Sequence, residues 1–241
     1  KIVAIIPARM ASSRFPGKPL LEIEGLPMIE HVRRRTLLCS GFSVVLVATC
    51  DKEIFDVVNK HHGRVVMTSA DHIMASDRVA EASSSLDCTH VVNVQGDEPG
   101  LPSALVTQVA AVLEKNPGAE MATLVSPLVS DAEWDDPNVA KVVTDREGRA
   151  LYFSRASIPF PRGGDRPRAS RHVGIYAYRV GALKKLAGTP PCELEIIEGL
   201  EQLRALWLGL RIVVAGACEK PSRHVETADD LEAVRRELAD R

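Results

Sequence analysis

The 241-residue sequence has few aromatic residues and no closely spaced cysteines. Aromatic residues make up 4% of the chain, and its five cysteines occur singly, without a CxxC pair. This spacing argues against a zinc site or a disulfide framework and favours reduced thiols in a cytoplasmic protein. We expect neither a membrane span nor a signal peptide, because no sufficiently long apolar run is present. The formal charge of −2 gives no support for nucleic-acid or anionic-membrane binding.

What the chain does contain is an alternation of short apolar runs with helical patterns. This alternation predicts right-handed crossovers and a mainly parallel sheet covered on both faces, which is a Rossmann-like, doubly wound α/β fold. The length fits one large domain over residues 1–241. The predicted strands are 2–6, 43–48, 65–68, 90–94, 121–125 and 211–215, and the predicted helices are 27–39, 52–61, 76–82, 105–113, 193–208 and the region after 224.

The alternation changes between residues 130 and 190. Residues 141–153 read as two strands joined around Glu147 and Gly148, and 171–178 read as another strand. We therefore predict a small antiparallel insertion over 130–190. Its apolar side chains should remain partly uncovered and form a homodimer interface. These side chains are Val142, Val143, Leu151, Phe153, Val173 and Ile175.

The loop after the first strand carries three cations among small residues. The strand stops at Pro7, and Arg9, Arg14 and Lys18 follow. Small side chains let main-chain N–H groups approach a ligand, and the cations would neutralise a triphosphate. The loop is not a Walker motif, because Lys18 is followed by proline. The alternative reading is an exposed basic turn.

An acidic residue follows the strand predicted at 90–94. Asp97 lies just past its carboxyl end, where open α/β sheets bind ligands. Magnesium prefers one or two carboxylates together with substrate phosphate oxygens, so Asp97 is a candidate magnesium ligand. A turn aspartate before Pro99 is the alternative.

Five segments resemble the signatures of the CMP-3-deoxy-octulosonate synthetases, cytidylyltransferases that activate a sugar acid with CTP. They read IIPARMASSRFPGKPL, VNVQGDEP, ALYFSRASIP, RHVGIYAY and LEIIEGLEQLRAL. The resemblance implies transfer of CMP from CTP to 3-deoxy-manno-octulosonate, release of pyrophosphate, and a product that enters lipopolysaccharide or a similar glycan. It also implies that the 130–190 insertion forms a dimer contact and part of the sugar site.

The same resemblance assigns residues to roles. Arg14, Lys18 and Asp97 would be catalytic, and Asp97 with Glu226 would hold Mg²⁺. The implied nucleotide contacts are Ala8, Arg9, Met10, Ser12, Arg14, Lys18, Asp77, Arg78 and Gln95. The implied contacts of the sugar acid are Arg155, His172, Tyr176, Glu201 and Gln202.

Plainer readings of several of these residues stay open. Asp77 and Arg78 could be surface charges on a helix capped by Ser76. Arg155 could be a surface arginine and His172 a hydrogen-bonded strand histidine. Glu201 and Gln202 could belong to a polar helix surface.

The sequence also departs from the family pattern. Met74 and Ala75 stand where Ser and Gly are usual, Glu226 where Asp is usual, and Cys50 where an acidic residue is common. Two alternatives therefore remain. The acceptor could be another acid, such as an amino sugar acid or a phosphonate, or the chain could be a catalytically weak CTP-binding protein.

Overall fold

The structure is a computed structural model that describes residues 1–11, 15–164 and 169–239. Most of the predicted strands and helices are present, with bounds shifted by a few residues. The strands are β1 (Ile2–Ala8), β2 (Glu22–Ile23), β3 (Leu26–Pro27), β4 (Phe42–Thr49), β5 (Val65–Met67), β6 (His90–Asn93), β7 (Met121–Pro127), β8 (Lys141–Thr144), β9 (Ala150–Ser154), β10 (Ser170–Arg179) and β11 (Ile212–Gly216). The α-helices are α1 (Met28–Leu37), α2 (Lys52–Lys60), α3 (Ala75–Ser83), α4 (Ser103–Lys115), α5 (Asp131–Asp135), α6 (Val180–Ala187), α7 (Glu193–Glu198), α8 (Gln202–Trp207) and α9 (Ala228–Ala239).

The main sheet has the strand order β11-β7-β10-β6-β1-β4-β5. The pairs β1–β4, β1–β6, β4–β5 and β7–β11 are parallel, as predicted. Strand β10 is antiparallel to both of its neighbours, β6 and β7. The hairpin β8–β9 joins the sheet through a short pairing of β8 with β10.

Helices cover both faces of this sheet. In β1, Ala4 and Ile6 face a core formed with α1, α2 and α4. Val3 and Ile5 point to the opposite face and pack in a core with α3, α6 and α8. This alternation is the side-chain period of a strand buried on both faces. In a smaller cluster, α9 packs against β2 and the start of α1.

The expectation of an uncovered apolar sheet in the insertion is wrong for most of its residues. Phe153, Val173 and Ile175 are buried within the chain, because β10 is an interior strand of the main sheet and α8 packs beside β9. Leu151 does remain exposed, with 60% of its surface accessible. Whether residues 130–190 act as a separate subdomain stays a prediction.

The single helix predicted over 193–208 is wrong, because the chain forms two short helices there. Gly199 lies between α7 and α8 with φ of 60°, a left-handed conformation that ends a helix. Helices α5 and α6 were not predicted from the sequence. Across the described ranges, none of the helices combines the length and the apolar character that a membrane crossing requires.

Candidate active site

A cleft of about 280 Å³ opens at the carboxyl ends of β1 and β6. Three segments form it: the loop after β1, the start of α3, and the turn after β6. The lining residues are Pro7, Ala8, Arg9, Lys18, Pro19, His72, Ile73, Met74, Ala75, Arg78, Gln95, Gly96 and Asp97. The cleft thus brings together six of the residues predicted from the sequence, which are Ala8, Arg9, Lys18, Arg78, Gln95 and Asp97.

Other predicted nucleotide contacts do not line this cleft. Met10 supports the first loop: its N–H donates to Asp51 Oδ2 at 2.7 Å, and its carbonyl accepts from Gly17 N at 3.0 Å. Asp77 faces Arg204, with 3.7 Å between Asp77 Oδ1 and Arg204 Nη1. The predictions for Ser12 and Arg14 lie outside the described residues.

Asp51 was missed from the sequence, although the rule that identified Asp97 applies to it. It lies just past the carboxyl end of β4, the strand beside β1. Its carboxylate accepts a hydrogen bond from the main-chain N–H of Met10 and so fixes the path of the first loop.

Lys18 and Asp97 form an ion pair in the lining of the cleft. Lys18 Nζ donates to Asp97 Oδ2 at 2.6 Å and to the Val225 carbonyl at 3.0 Å. Burial disfavours the charged form of Asp97, but the hydrogen bonds and positive charges of His224 and Lys18 outweigh it and lower the pKa of this carboxyl. Asp97 is therefore an anion at neutral pH.

Arg78 lines the cleft and carries a buried donor atom that has no partner among the described residues. Its side chain is 97% buried, since only 3% of its surface is accessible. Nη1 donates to Thr68 Oγ1 and to the Ser69 carbonyl. Within the ranges that the structure describes, Nη2 has no hydrogen-bond partner. A buried guanidinium N–H without a partner is costly, so this donor suits a ligand oxygen.

The two carboxylates predicted to hold magnesium belong to adjacent segments. Val225 N donates to Asp97 O at 2.9 Å, which lays the residue before Glu226 alongside Asp97. Among the described residues, no group of three or more His, Cys, Asp or Glu side chains is arranged to hold a metal ion. Two carboxylates still fit Mg²⁺, because this ion commonly takes one or two carboxylates and completes its shell with phosphate oxygens and water.

A histidine beside Asp97 was not found from the sequence. His224 Nδ1 lies 3.5 Å from Asp97 Oδ1, and Nε2 lies 2.8 Å from Glu98 Oε1. Burial opposes its protonation, but the charge of Glu98 and hydrogen bonds to both carboxylates raise the pKa of His224 well above its usual value. No spacing rule connects residues 97 and 224, so sequence patterns carry no signal for this contact.

Three of the predicted sugar-acid residues lie together beyond Gln95. Gln95 Nε2 donates to the Gly174 carbonyl at 3.0 Å, and Tyr176 donates its hydroxyl hydrogen to Gln202 Oε1 at 3.0 Å. The His172 ring packs 5.1 Å from Phe153 and 5.2 Å from Tyr176, measured between ring centroids. Its Nε2 lies 2.8 Å from Thr123 Oγ1. Burial, together with the charge of His224, lowers the pKa of His172 to about 3.

Glu201 contacts the start of α3, which borders the cleft. Its Oε2 accepts from Ser76 Oγ at 3.1 Å and from Ser76 N at 3.4 Å, in the first turn of α3. The prediction that Ser76 caps this helix is wrong, because Met74 occupies the N-cap position. Glu201 takes that role from a distant part of the chain, and burial raises the pKa of its carboxyl.

Arg155 lies at the end of β9 with its guanidinium directed at main-chain carbonyls. It donates to Glu198 O at 2.6 Å, Pro137 O at 2.9 Å and Gly199 O at 3.4 Å. These bonds fasten the hairpin to the turn between α7 and α8. The contact of Arg155 with a substrate carboxylate stays a prediction.

Comparison with known proteins identifies close relatives. The sequence model of a family described as cytidylyltransferase matches residues 3–212. The chain is 49% identical over 243 residues to a 3-deoxy-manno-octulosonate cytidylyltransferase of Thioalkalivibrio sulfidiphilus, covering 97% of each chain. It is 47% identical over 246 residues to the protein of that name from Syntrophotalea carbinolica, covering 98% of each.

A solved structure is similar over the whole chain. It is a CMP:2-keto-3-deoxy-manno-octonic acid synthetase complexed with CTP, 39% identical in sequence, with a TM-score of 0.95. The match covers 100% of this chain and 99% of the other.

Proposed function

Because the chain belongs to the cytidylyltransferase family, we propose that it transfers CMP from CTP to 3-deoxy-manno-octulosonate or a close relative and releases pyrophosphate. The observation that carries this proposal is the placement of Lys18, Arg78, Gln95 and Asp97 around one cleft at the carboxyl ends of two parallel strands. These side chains provide cationic donors, an amide and an anion within a space suited to a nucleotide. The CTP complex of the similar solved structure supports the same choice of nucleotide.

The chemistry requires little covalent participation by the protein. The acceptor hydroxyl gives its proton to solvent and its oxygen attacks the α-phosphorus in line. The bond between the α-phosphorus and the oxygen that bridges to the β-phosphorus breaks, and pyrophosphate leaves with that oxygen. Lys18 and Arg9 would offset phosphate charge as it shifts towards the leaving group, and Arg78 Nη2 would donate to a nucleotide oxygen. Positioning and charge stabilisation of this kind provide most of the rate enhancement in such reactions.

We propose Mg²⁺ as the cofactor, with Asp97 and Glu226 as its protein ligands. Their oxygen donors match the preference of this ion. Bound magnesium supplies positive charge to the phosphates and makes a hydroxyl group easier to deprotonate. Lys18 Nζ, at 2.6 Å from Asp97 Oδ2, keeps that carboxylate directed towards the cleft.

The acceptor would bind beyond Gln95, beside His172, Tyr176 and Gln202. Gln202 is 1% exposed, and its Nε2 has no partner among the described residues, so it can donate to a hydroxyl or carboxylate oxygen. His172, with a pKa of about 3, would act as a neutral imidazole there. A polyhydroxylated acid suits these donors and acceptors.

We further propose a homodimer in the cytoplasm. Exposed apolar side chains lie on β9 and α7, including Leu151, Ile196 and Ile197. The two elements are adjacent, because Ser154 Oγ donates to Glu198 Oε1 at 2.6 Å. Grouped apolar exposure of this kind is typical of an interface. Light scattering at micromolar concentration tests the dimer, and a monomer would contradict it.

The proposal of a cytoplasmic location is supported by the cysteines. All five are free thiols, which suits a reducing compartment.

The catalytic proposal is tested by measuring pyrophosphate release from CTP with a panel of acceptors, with and without Mg²⁺. The panel contains 3-deoxy-manno-octulosonate, its amino analogue, and a phosphonate, and Asp97→Asn serves as the inactive control. We expect release with the sugar acid and CTP only when Mg²⁺ is present. Pyrophosphate release with one of the other two acids, but not with 3-deoxy-manno-octulosonate, would identify a different acceptor. No release with any acceptor, despite a melting-temperature increase with CTP, would identify a CTP-binding protein without this activity.

A further inference from the structure

The imidazole of His224 connects two carboxylates that differ in their exposure. Glu98 is 2% exposed and does not line the cleft, whereas the adjacent Asp97 does. His224 Nε2 lies 2.8 Å from Glu98 Oε1, and Nδ1 lies 3.5 Å from Asp97 Oδ1. The ring therefore links the buried carboxylate of Glu98, which does not line the cleft, to the carboxylate of Asp97, which the proposed chemistry needs.

This arrangement restrains the Asp97 carboxylate at both of its oxygens. Lys18 binds Oδ2, while His224 faces Oδ1. The terminal torsion of an aspartate is intrinsically broad, so one partner alone would leave the carboxylate freer to rotate. Glu98 in turn restrains the ring, and Ser222 Oγ donates to the second Glu98 oxygen at 3.1 Å.

The main chain supports the same link. Val225 directly follows His224 in sequence, and its N–H donates to Asp97 O at 2.9 Å. The side chain of His224 and the backbone of Val225 therefore hold the segment that precedes α9 against the turn after β6. Glu226, the second proposed magnesium ligand, is the next residue in this segment.

We propose that His224, held by Glu98, is a positioning residue that fixes the orientation of Asp97 and the path of the chain to Glu226. The inference rests on the proposed function, for which Asp97 must be correctly oriented. Glu98 would act only through His224 and would not contact substrate.

The test is a double-mutant cycle of His224→Ala and Glu98→Gln, with Ser222→Ala as the matched control. Ser222 contacts the same buried carboxylate but not Asp97, so its loss should leave kcat within about twofold of the wild type. His224→Ala should lower kcat at least tenfold with little change in KM for CTP, because the cations of the cleft remain. The double variant should be no slower than His224→Ala, since Glu98 acts through the ring.

Three kinetic outcomes would overturn the inference. They are an unchanged kcat in a folded His224→Ala variant, an equal loss of kcat in Ser222→Ala, and a double variant whose loss is the product of the two single losses. If His224→Ala does not fold, His224→Gln takes its place in the cycle. An amide can still donate to one carboxylate, so kcat should then fall between the wild-type value and a tenfold loss.

A second readout needs no substrate. The melting temperatures of the wild type, the two single variants and the double variant form a stability cycle. Non-additive losses are expected, because the pair is in direct contact, and additive losses would overturn the link. If the wild type transfers no CMP to any acceptor, the proposed function fails, while this cycle still decides whether His224 and Glu98 interact.

Discussion

Gly96, in the turn after β6, lies close to the main chain of β1 at the candidate active site. A methyl group placed on its Cα would lie 2.7 Å from the carbonyl oxygen of Pro7 in β1. Carbon and oxygen atoms ordinarily stay at least about 3.3 Å apart, so roughly 0.6 Å of separation is missing. The opposing atom belongs to the main chain of β1. Main-chain hydrogen bonds hold this strand in place, among them the bond from Val94 N to Ile5 O at 3.0 Å.

We therefore expect Gly96→Ala to displace the turn that carries Asp97. Overpacking of this kind costs about 1–3 kcal/mol of stability. Displacement of a reacting group by about 1 Å can cost about 10²-fold in rate. The two quantities are measured by urea unfolding and by steady-state pyrophosphate release. Gly216→Ala is the matched control, because an added methyl at the end of β11 meets no atom within 4 Å.

The loss of kcat in Gly96→Ala should exceed what partial unfolding at the assay temperature explains. If Gly96→Ala retains both the stability and the kcat of the wild type, the turn yields without moving Asp97, and the predicted steric clash with Pro7 is wrong. If Gly216→Ala is equally impaired, the effect does not come from the contact with Pro7.

Other predictions concern the cations, the carboxylates and the half-buried His172. Lys18→Met should lower turnover at least about tenfold, or about 1.4 kcal/mol, and Arg14→Ala should do the same; unchanged kinetics in both would make the first loop a surface turn. Asp97→Asn should nearly abolish activity, whereas Glu226→Asp should retain it or change acceptor preference; a Glu226→Ala variant with wild-type rate and magnesium dependence would remove Glu226 from the metal site. His172 stays neutral in the folded protein down to pH about 3. As pH falls below about 6.5, the unfolded chain gains a proton there that the folded chain does not, so stability should drop by about 1–2 kcal/mol by pH 5. His172→Gln should remove that part of the slope in urea unfolding at pH 7 and pH 5, and an unaltered slope would contradict it.

The features predicted correctly from the sequence are local ones. Apolar runs located β1, β4 and β6, and the rule for strand carboxyl ends pointed to the first loop and to Asp97, so that Lys18 and Asp97 line one cleft. The resemblance of whole segments added Gln95 and Arg78, which line the same cleft.

The errors and omissions involve contacts between distant residues or a single backbone conformation. Ser76 meets Glu201 across 125 positions, and His224 meets Asp97 across 127. No pattern within a short window can reveal such pairs. The break between α7 and α8 depends on the left-handed conformation of Gly199, in a stretch whose leucines otherwise repeat at helical spacing.

The position of β10 has a consequence for synthesis of the protein on the ribosome. Strands β1, β4, β5 and β6 all lie within the first 93 residues and pair with one another in parallel. Among the described residues, β7 and β11 join that group only through β10. A nascent chain that has not yet released β10 therefore carries β6 as an open sheet edge, because Val91 and Val92 then pair with β1 on one side only. Open apolar edges recruit other chains, so stalled or truncated products that end before residue 170 should aggregate through β6.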